Sequence, residues 1–273
     1  MPPDYEIPEL DLSELIFVEL LQEPEDLSDK YRKEEYRRAC VSRARWQEKD
    51  CIVKVFHPTP PGLIFPAHRQ VDPFTNETRA YSRLKARGFC ERGDIPDVYG
   101  VIKQINPASE GWGFLRPYFE DGPRPNAIVI EYVPNSRIID LSNFSDEALR
   151  NLRHILTEMH EAWVYHGDPY PRNMLLQEGS GRALWIDFGS AQTYAPGIVT
   201  ERQRSWFVSE VRLMDEFIEE LTFDHKLGKI YKSLGCYTAM FDPPEGYLTE
   251  EEQRRADAIE QDENKNKNHG NWK

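Results

Sequence analysis

Three polar residues in the second half of the sequence have types and spacings that suit a divalent cation beside a proton acceptor. Asp168 and Asn173 lie five positions apart in HGDPYPRN (166–173), and Asp187 follows fourteen residues later in LWIDFGSA. Carboxylate and amide oxygens are hard ligands that Mg²⁺ prefers, and a carboxylate beside a bound metal can accept a proton. These residues predict a magnesium site next to a general base.

Two local elements must bring these residues together. The stretch LLQEGSGRALWIDFG (175–189) alternates apolar runs with a glycine-containing turn, so it predicts a hairpin that places Asn173 near Asp187. Before HGDPYPRN, apolar residues step by three and four, which predicts one buried face of a helix that begins at Ser145. The residues of this face are Leu149, Leu152, Leu156, Met159 and Trp163.

The first half of the sequence predicts a sheet with one inserted helix. Apolar and β-branched runs bounded by turn residues predict strands at 15–21, 36–46, 51–56, 98–105 and 126–133. A helix over 73–88 is expected to start at Thr75 or Asn76 and to stop at Gly88. Further on, a helix is expected at 203–221 and a frayed polar tail at 263–273.

This order of elements predicts an α+β fold with two lobes and a cleft between them. The first lobe, 1–133, is expected to be an antiparallel sheet with one helix. The second, 134–273, is expected to be a reduced, mainly helical lobe, with a polar tail after about residue 245. The hinge is expected near 132–135.

Composition excludes several classes of function. Lys and Arg number 34 against 47 Asp and Glu, so the net charge of −13 disfavours a chain-wide attraction to nucleic acid or anionic lipid. Neither a basic leader nor a long apolar run is present, so we expect a cytoplasmic protein with no membrane association. The spacing of the cysteines fits neither a zinc site nor a disulfide framework; these are Cys40, Cys51, Cys90 and Cys236.

HGDPYPRN followed by IDFG resembles the catalytic loop and the metal-binding motif of the protein-kinase-like superfamily. The HGD form is similar to the aminoglycoside and choline phosphotransferases, and the short chain is similar to small atypical kinases. The resemblance implies a two-lobed kinase-like fold that uses ATP and Mg²⁺. It implies that Asp168 is the catalytic base, that Asn173 and Asp187 hold Mg²⁺, and that His166 is a structural brace.

The resemblance extends upstream to the residues expected to bind the nucleotide. Lys54 in CIVKVF resembles the third-strand lysine that contacts the phosphates, and Glu77 in NETRAYSRL resembles its partner on the helix. In NAIVIEYV, the backbone from Glu131 to Val133 would bind adenine.

Arg172 is a further candidate catalytic residue. Tyr170 stands where many kinases of the resembled superfamily have a lysine, and the guanidinium of Arg172 could supply that positive charge to the transferred phosphoryl group. A surface salt bridge is the alternative interpretation of Arg172.

Three departures narrow the function that the resemblance implies. No glycine precedes Gly62, so the glycine-rich phosphate loop is absent, and an acidic stretch at 23–36, with Lys30, Arg32 and Lys33 within it, replaces it. Gly167 replaces the arginine that reads a phosphorylated activation loop, and no Ala-Pro-Glu motif follows. The last two departures favour a small molecule or a specialised macromolecule as the acceptor.

The sequence therefore predicts an ATP- and Mg²⁺-dependent phosphotransferase that acts on a hydroxyl group of an unidentified acceptor. Two alternatives remain open. One is a pseudokinase that binds a ligand without transferring a phosphoryl group. The other is a kinase fold used for aminoacyl-tRNA-dependent chemistry, similar to the fungal arginine-containing cyclodipeptide synthases. A basic cluster would carry that tRNA contact or else form a solvated sheet edge: Arg32, Lys33, Arg37, Arg38, Arg43 and Arg45.

Overall fold

The computed structural model describes residues 3–22, 39–56, 70–106, 112–113, 115, 124–238 and 243–270, with the backbone alone for 267–270. The acidic stretch at 23–36 lies outside the described residues. So do four members of the basic cluster, Arg32, Lys33, Arg37 and Arg38.

The larger sheet has five antiparallel strands, as the sequence predicts, and their order is β1-β2-β3-β5-β4. Alternation of buried and partly buried side chains along β2 and β3 fits strands that cover a core on one face. β4 and β5 end a few residues earlier than expected. The strands are β1 (Leu15–Gln22), β2 (Cys40–Trp46), β3 (Lys49–Phe56), β4 (Val98–Ile102) and β5 (Asn126–Glu131).

Helix α1 (Pro73–Lys85) follows β3, and the short helix α2 (Phe89–Arg92) follows α1. The expected start at Thr75 or Asn76 is wrong, because the side chain of Asp72 is the N-cap and accepts a hydrogen bond from the Thr75 amide at 2.9 Å. Asp72 precedes Pro73, which fits the first position of a helix. The expected stop at Gly88 is also wrong, because α1 ends at Lys85 with Ala86 as its C-cap, and Gly88, with a φ of 80°, is the N-cap of α2.

The remaining chain is mainly helical, with small sheets between the helices. Ser145 caps α3 as predicted, since its side chain accepts a hydrogen bond from the Ala148 amide. Trp163 lies beyond the end of α3, with a φ of 63°, and not on its buried face. These elements are β6 (Ser136–Ile138), α3 (Asp146–Glu161), β7 (Val164–Tyr165), β8 (Met174–Gln177), β9 (Ala183–Trp185), β10 (Gln192–Thr193), α4 (Glu201–Leu227), α5 (Leu234–Tyr237) and α6 (Glu250–Gly270).

The frayed tail expected at 263–273 is wrong for residues up to 270, because α6 continues to Gly270. Buried Ala256 and partly buried Ile259 pack against Phe223 and Leu227 of α4. Lys226 and Glu263 add an ion pair at 2.8 Å. Packing against α4 thus anchors α6 as far as Glu263, and the polar residues that follow continue the same helix.

The main apolar core joins α1, α3, α4 and the strands beside them. Tyr81, Trp185 and Phe188 are fully buried in it, and the Trp185 indole donates to the carbonyl of Leu152 at 2.9 Å. In the part of the chain that the structure describes, no helix has both the length and the apolarity to cross a membrane.

Candidate active site

Lys54, Glu77 and Asp187 meet at one point, although they are distant in sequence. β3 carries Lys54, α1 carries Glu77, and Asp187 follows β9. The Lys54 Nζ lies 2.7 Å from Glu77 Oε2 and 2.7 Å from Asp187 Oδ1. The side chain of Glu77 is 1% exposed, whereas that of Asp187 is 48% exposed. The ammonium group thus joins a buried carboxylate to one that faces the solvent.

The electrostatics of this cluster follow from its burial. Burial raises the pKa of Glu77 to about 7, against the lowering effect of the Lys54 ammonium. Burial alone would lower the pKa of Lys54, but the carboxylates of Asp187 and Glu77 raise it above its ordinary value. Burial would also raise the pKa of Asp187. The charge of the Lys54 ammonium and its hydrogen bond have the larger effect, so the pKa of Asp187 is lowered. Lys54 and Asp187 are therefore held as ions.

The predicted hairpin forms and places Asn173 beside the Asp187 segment. Met174 pairs with Trp185 in the β8–β9 ladder, and the Ile186 amide donates to the carbonyl of Asn173 at 3.0 Å. Asp187 has a φ of 62°, and its Oδ1 accepts a hydrogen bond from the Gly189 amide at 3.1 Å. This left-handed backbone conformation is rare for a non-glycine residue and often marks a functional site.

The carboxylate of Asp168 is held by two neighbours in the same loop. Asn173 Nδ2 donates to Asp168 Oδ2 at 2.7 Å and to the Asp168 carbonyl at 2.8 Å. Arg172 Nε donates to Asp168 Oδ2 at 3.1 Å, and its Nη2 contacts Oδ1. The sequence suggested that Arg172 neutralises the transferred phosphoryl group or forms a salt bridge. In this structure its partner is Asp168.

A buried glutamate that the sequence analysis missed holds the backbone of this loop. Glu210 of α4 accepts hydrogen bonds from the amides of His166 and Gly167 at 3.1 and 2.6 Å, and it lies 2.8 Å from His160 Nε2. The sequence signal that could have indicated Glu210 is an acid on the apolar face of α4, four residues before the buried Met214.

His166 and Gly167 fix the direction of the loop before Asp168. His166 is fully buried, its Nε2 lies 3.2 Å from the carbonyl of Ile186, and its Nδ1 lies 3.3 Å from the Asp168 amide. Burial lowers the pKa of His166, which favours a neutral ring that bridges these groups. Gly167 has a φ of 82°, and a Cβ there would lie 2.4 Å from the carbonyl oxygen of Ser190.

The expected adenine-binding segment begins at Glu131, whose own groups are already engaged. Its amide donates to the carbonyl of Asp97 at 2.7 Å, and its carboxylate accepts two hydrogen bonds from Arg182 at 2.8 and 3.0 Å. No backbone carbonyl of the described residues accepts a hydrogen bond from the Val133 amide.

The donor chemistry of Asn173 and Asp187 fits Mg²⁺. The Asn173 amide nitrogen points to Asp168, which leaves the amide oxygen as a ligand, and the Asp187 carboxylate is half exposed and negatively charged. Mg²⁺ is commonly held by one or two such oxygens together with substrate phosphates and water. In the described part of the chain, no cluster of three or more His, Cys, Asp or Glu residues offers an alternative metal site.

Comparison with known proteins gives two partial similarities, while no protein-family model matches the chain. The chain is 28% identical to Myosin light chain kinase 3 of Danio rerio over 140 residues, which are 47% of this chain and 19% of that protein. It is 34% identical to KEOPS complex subunit Bud32 of Pyrococcus abyssi over 87 residues, which are 30% of this chain and 39% of that protein. Both similarities point to the protein-kinase-like superfamily. The α+β architecture with its antiparallel five-stranded sheet is compatible with a kinase-like fold.

Proposed function

We propose that this protein is an ATP- and Mg²⁺-dependent phosphotransferase that transfers the γ-phosphoryl group to a hydroxyl group. The observation that carries the proposal is the contact of Lys54 Nζ with both Glu77 and Asp187 at 2.7 Å. A lysine fixed between a buried carboxylate and a half-exposed one is suited to orient phosphate groups. The name of one relative, Myosin light chain kinase 3, agrees with this class of activity.

The chain's own residues account for binding and proton transfer. Lys54, held by Glu77, orients the phosphates, and the backbone at Glu131 and Val133 binds adenine. Asp168 accepts the proton of the acceptor hydroxyl as its oxygen bonds to the γ-phosphorus, while the bond to the leaving ADP oxygen breaks. Asn173 and Asp187 would hold Mg²⁺, which neutralises charge on the phosphates when bound. We also propose that the chain folds into two lobes, residues 1–133 and residues 134–273.

The decisive experiment separates turnover from nucleotide binding. Asp168→Asn should reduce phosphoryl transfer by at least a hundredfold, because general acid–base catalysis contributes about 10²–10⁴ in rate. The rise in melting temperature on addition of Mg²⁺ and ATP should stay within a factor of a few of the rise seen for wild type. Lys54→Met should weaken that stabilisation. Equal loss of binding in both variants would contradict the assigned roles.

A pseudokinase is the second candidate, and one observation favours it. Both oxygens of the Asp168 carboxylate already accept hydrogen bonds from Arg172 and Asn173. The pseudokinase would gain thermal stability from ATP without producing ADP. Measuring ADP release at saturating ATP distinguishes the two functions.

The tRNA-dependent alternative has less support from the described residues of the basic cluster. Arg43 pairs with Glu19 and Asp50 at 3.2 and 2.7 Å, and Arg45 lies 3.8 Å from Asp50. Side chains paired in this way are less available to phosphates. We therefore do not propose this function.

A further inference from the structure

A buried asparagine of α1 lies next to Glu77 and contacts the segment that follows Asp187. Asn76 is 4% exposed, and its Nδ2 donates to the carbonyl of Gly189 at 2.8 Å. Asparagine is unfavourable inside a helix, because its short side chain competes for nearby backbone groups. Here the side chain bonds to a residue 113 positions away. Asn76 therefore has a tertiary role.

Gln192 fixes the direction in which the amide of Asn76 faces. Gln192 is 5% exposed, and its Nε2 donates to the carbonyls of Gln70 and Ala191, each at 2.8 Å. The same Nε2 lies 3.5 Å from Asn76 Oδ1. The amide oxygen of Asn76 thus faces a donor, and its amide nitrogen faces the carbonyl of Gly189.

The contact between Asn76 and Gly189 completes a closed ring of hydrogen bonds in the candidate active site. Lys54 Nζ donates to Glu77 Oε2 and to Asp187 Oδ1. The same oxygen of Asp187 accepts a hydrogen bond from the Gly189 amide at 3.1 Å. Asn76 leads the ring back to α1, one residue before Glu77. Hydrogen bonds therefore join β3, α1 and the segment after β9 at one place.

Asp187 needs a support other than Lys54. Under the proposed function, on which this inference rests, the Asp187 carboxylate holds Mg²⁺. The cation and the Lys54 ammonium would then compete for the same negative charge. The amide of Gly189 is neutral and does not compete in this way, so it can stay bonded to Oδ1 and keep the carboxylate aligned.

Gly189 can align the carboxylate only if its own backbone is held. Glycine has no Cβ, so its backbone turns more freely than that of other residues. Asp187 also has the rare φ of 62°, a conformation that persists only where neighbouring groups maintain it. The hydrogen bond from Asn76 provides this restraint, because it acts on the residue whose amide aligns the carboxylate.

We propose that Asn76 is a positioning residue for Asp187, the proposed ligand of Mg²⁺. Asn76 holds Gly189, and Gly189 holds the Asp187 carboxylate in the direction that binds the cation. A hydrogen bond of this kind changes an equilibrium constant by about threefold to tenfold. The Mg²⁺ concentration that the protein requires should rise by a similar factor without it, because fewer molecules have Asp187 aligned.

The test measures the Mg²⁺ requirement without turnover. The melting temperature is followed at a fixed ADP concentration as Mg²⁺ is added, for wild type, Asn76→Ala and Asn76→Leu. Leucine has nearly the shape of asparagine, so Asn76→Leu removes the hydrogen bonds and keeps the packing. The Mg²⁺ concentration that gives half of the stabilisation should rise about threefold to tenfold in both variants. Stabilisation by ADP in EDTA should match wild type.

Thr78→Val is the matched control in the same helix. The Thr78 hydroxyl donates to the carbonyl of Phe74 at 2.8 Å, so this variant removes a hydrogen bond of equal length that stays within α1. Its Mg²⁺ requirement should equal that of wild type.

A kinetic measurement distinguishes positioning from loss of the catalytic groups. At saturating Mg²⁺ and ATP, Asn76→Leu should form ADP at a rate within about twofold of wild type. The Mg²⁺ concentration that gives half of this rate should rise by the same factor as in the melting experiment. A variant that had lost the alignment of Asp168 would instead form ADP slowly at every Mg²⁺ concentration.

The outcomes separate the role of Asn76 from the proposed function. Folded Asn76 variants that require no more Mg²⁺ than wild type would overturn the positioning role and leave the phosphotransferase intact. An equal weakening of ADP binding in EDTA would do the same. If Mg²⁺ and ADP stabilise wild type but no ADP forms from ATP, the phosphotransferase is overturned, while the melting comparison still decides the role of Asn76. If Mg²⁺ has no effect on wild type with ADP, both are overturned.

Discussion

The guanidinium of Arg182 donates two hydrogen bonds to the carboxylate of Glu131, at 2.8 and 3.0 Å. The same guanidinium donates to the carbonyls of Gly93 and Ile95 at 2.7 and 3.1 Å. Arg182 precedes β9, and Glu131 ends β5, so this side chain connects the small sheet beside the catalytic loop with the strand that leads into the expected adenine-binding segment.

Removal of this connection should destabilise the protein. We expect Arg182→Ala to lower the free energy of unfolding by about 2–4 kcal/mol, because it leaves the mostly buried carboxylate of Glu131 without its ionic partner and two carbonyls without donors. Denaturant titration measures the loss. Arg137→Ala is a matched control, since the Arg137–Glu178 pair is about half exposed and should contribute under about 1 kcal/mol. Equal effects of the two variants would contradict the prediction.

The raised pKa of Glu77 predicts a specific dependence of stability on pH. The folded state binds a proton at Glu77 more tightly than the unfolded state, whose pKa is near 4.5, so this residue's contribution to stability falls as the pH rises from about 4.5 to about 7. The free energy of unfolding of wild type relative to Glu77→Gln should therefore decrease by roughly 3 kcal/mol across this window. Chemical denaturation at a series of pH values measures the difference. A difference that stays constant or rises would show that the pKa is not raised.

Glu210 should matter more than any exposed acid of the same helix. Glu210→Gln replaces one carboxylate oxygen by an amide donor that faces the amides of His166 or Gly167, so we expect a loss of about 2–4 kcal/mol in stability. Phosphoryl transfer should also fall, because the loop that carries Asp168 loses its support. Glu216→Gln is the control, since Glu216 is 50% exposed and pairs with the exposed Arg212. If both variants behave alike, Glu210 is not the support of the loop.

Alanine substitutions at Gly167 and Gly197 distinguish the cost of backbone strain from the cost of a steric clash. Both have a φ of 82°, but a Cβ at Gly167 would lie 2.4 Å from the carbonyl oxygen of Ser190, whereas a Cβ at Gly197 meets nothing within 4 Å. Gly197→Ala should lower the free energy of unfolding by about 1 kcal/mol from strain alone. Gly167→Ala should lower it by at least about 2 kcal/mol more, because Ser190 must move. Thermal denaturation of the two variants provides the comparison.

The sequence by itself determined the features that depend on neighbouring residues. The hairpin that joins Asn173 to the Asp187 segment follows from two apolar runs and a glycine-containing turn, and the cap at Ser145 follows from a polar residue before an apolar period. The pairing of Lys54 with Glu77 was expected from a resemblance to kinase motifs, whereas the contact of Lys54 with Asp187 was not predicted. Secondary-structure propensity and apolar periodicity alone do not predict a contact between residues so distant in the sequence.

Only the tertiary structure decided which distant groups satisfy one another. Glu210 and His166 are 44 residues apart, and Arg182 and Glu131 are 51 apart, so no local pattern relates them. The same is true of α6, whose polar sequence becomes helical because α4 offers an apolar surface and an ion-pair partner. Buried polar groups must find partners wherever packing brings them. Which groups become partners depends on the whole folded chain, so no single segment of the sequence predicts it.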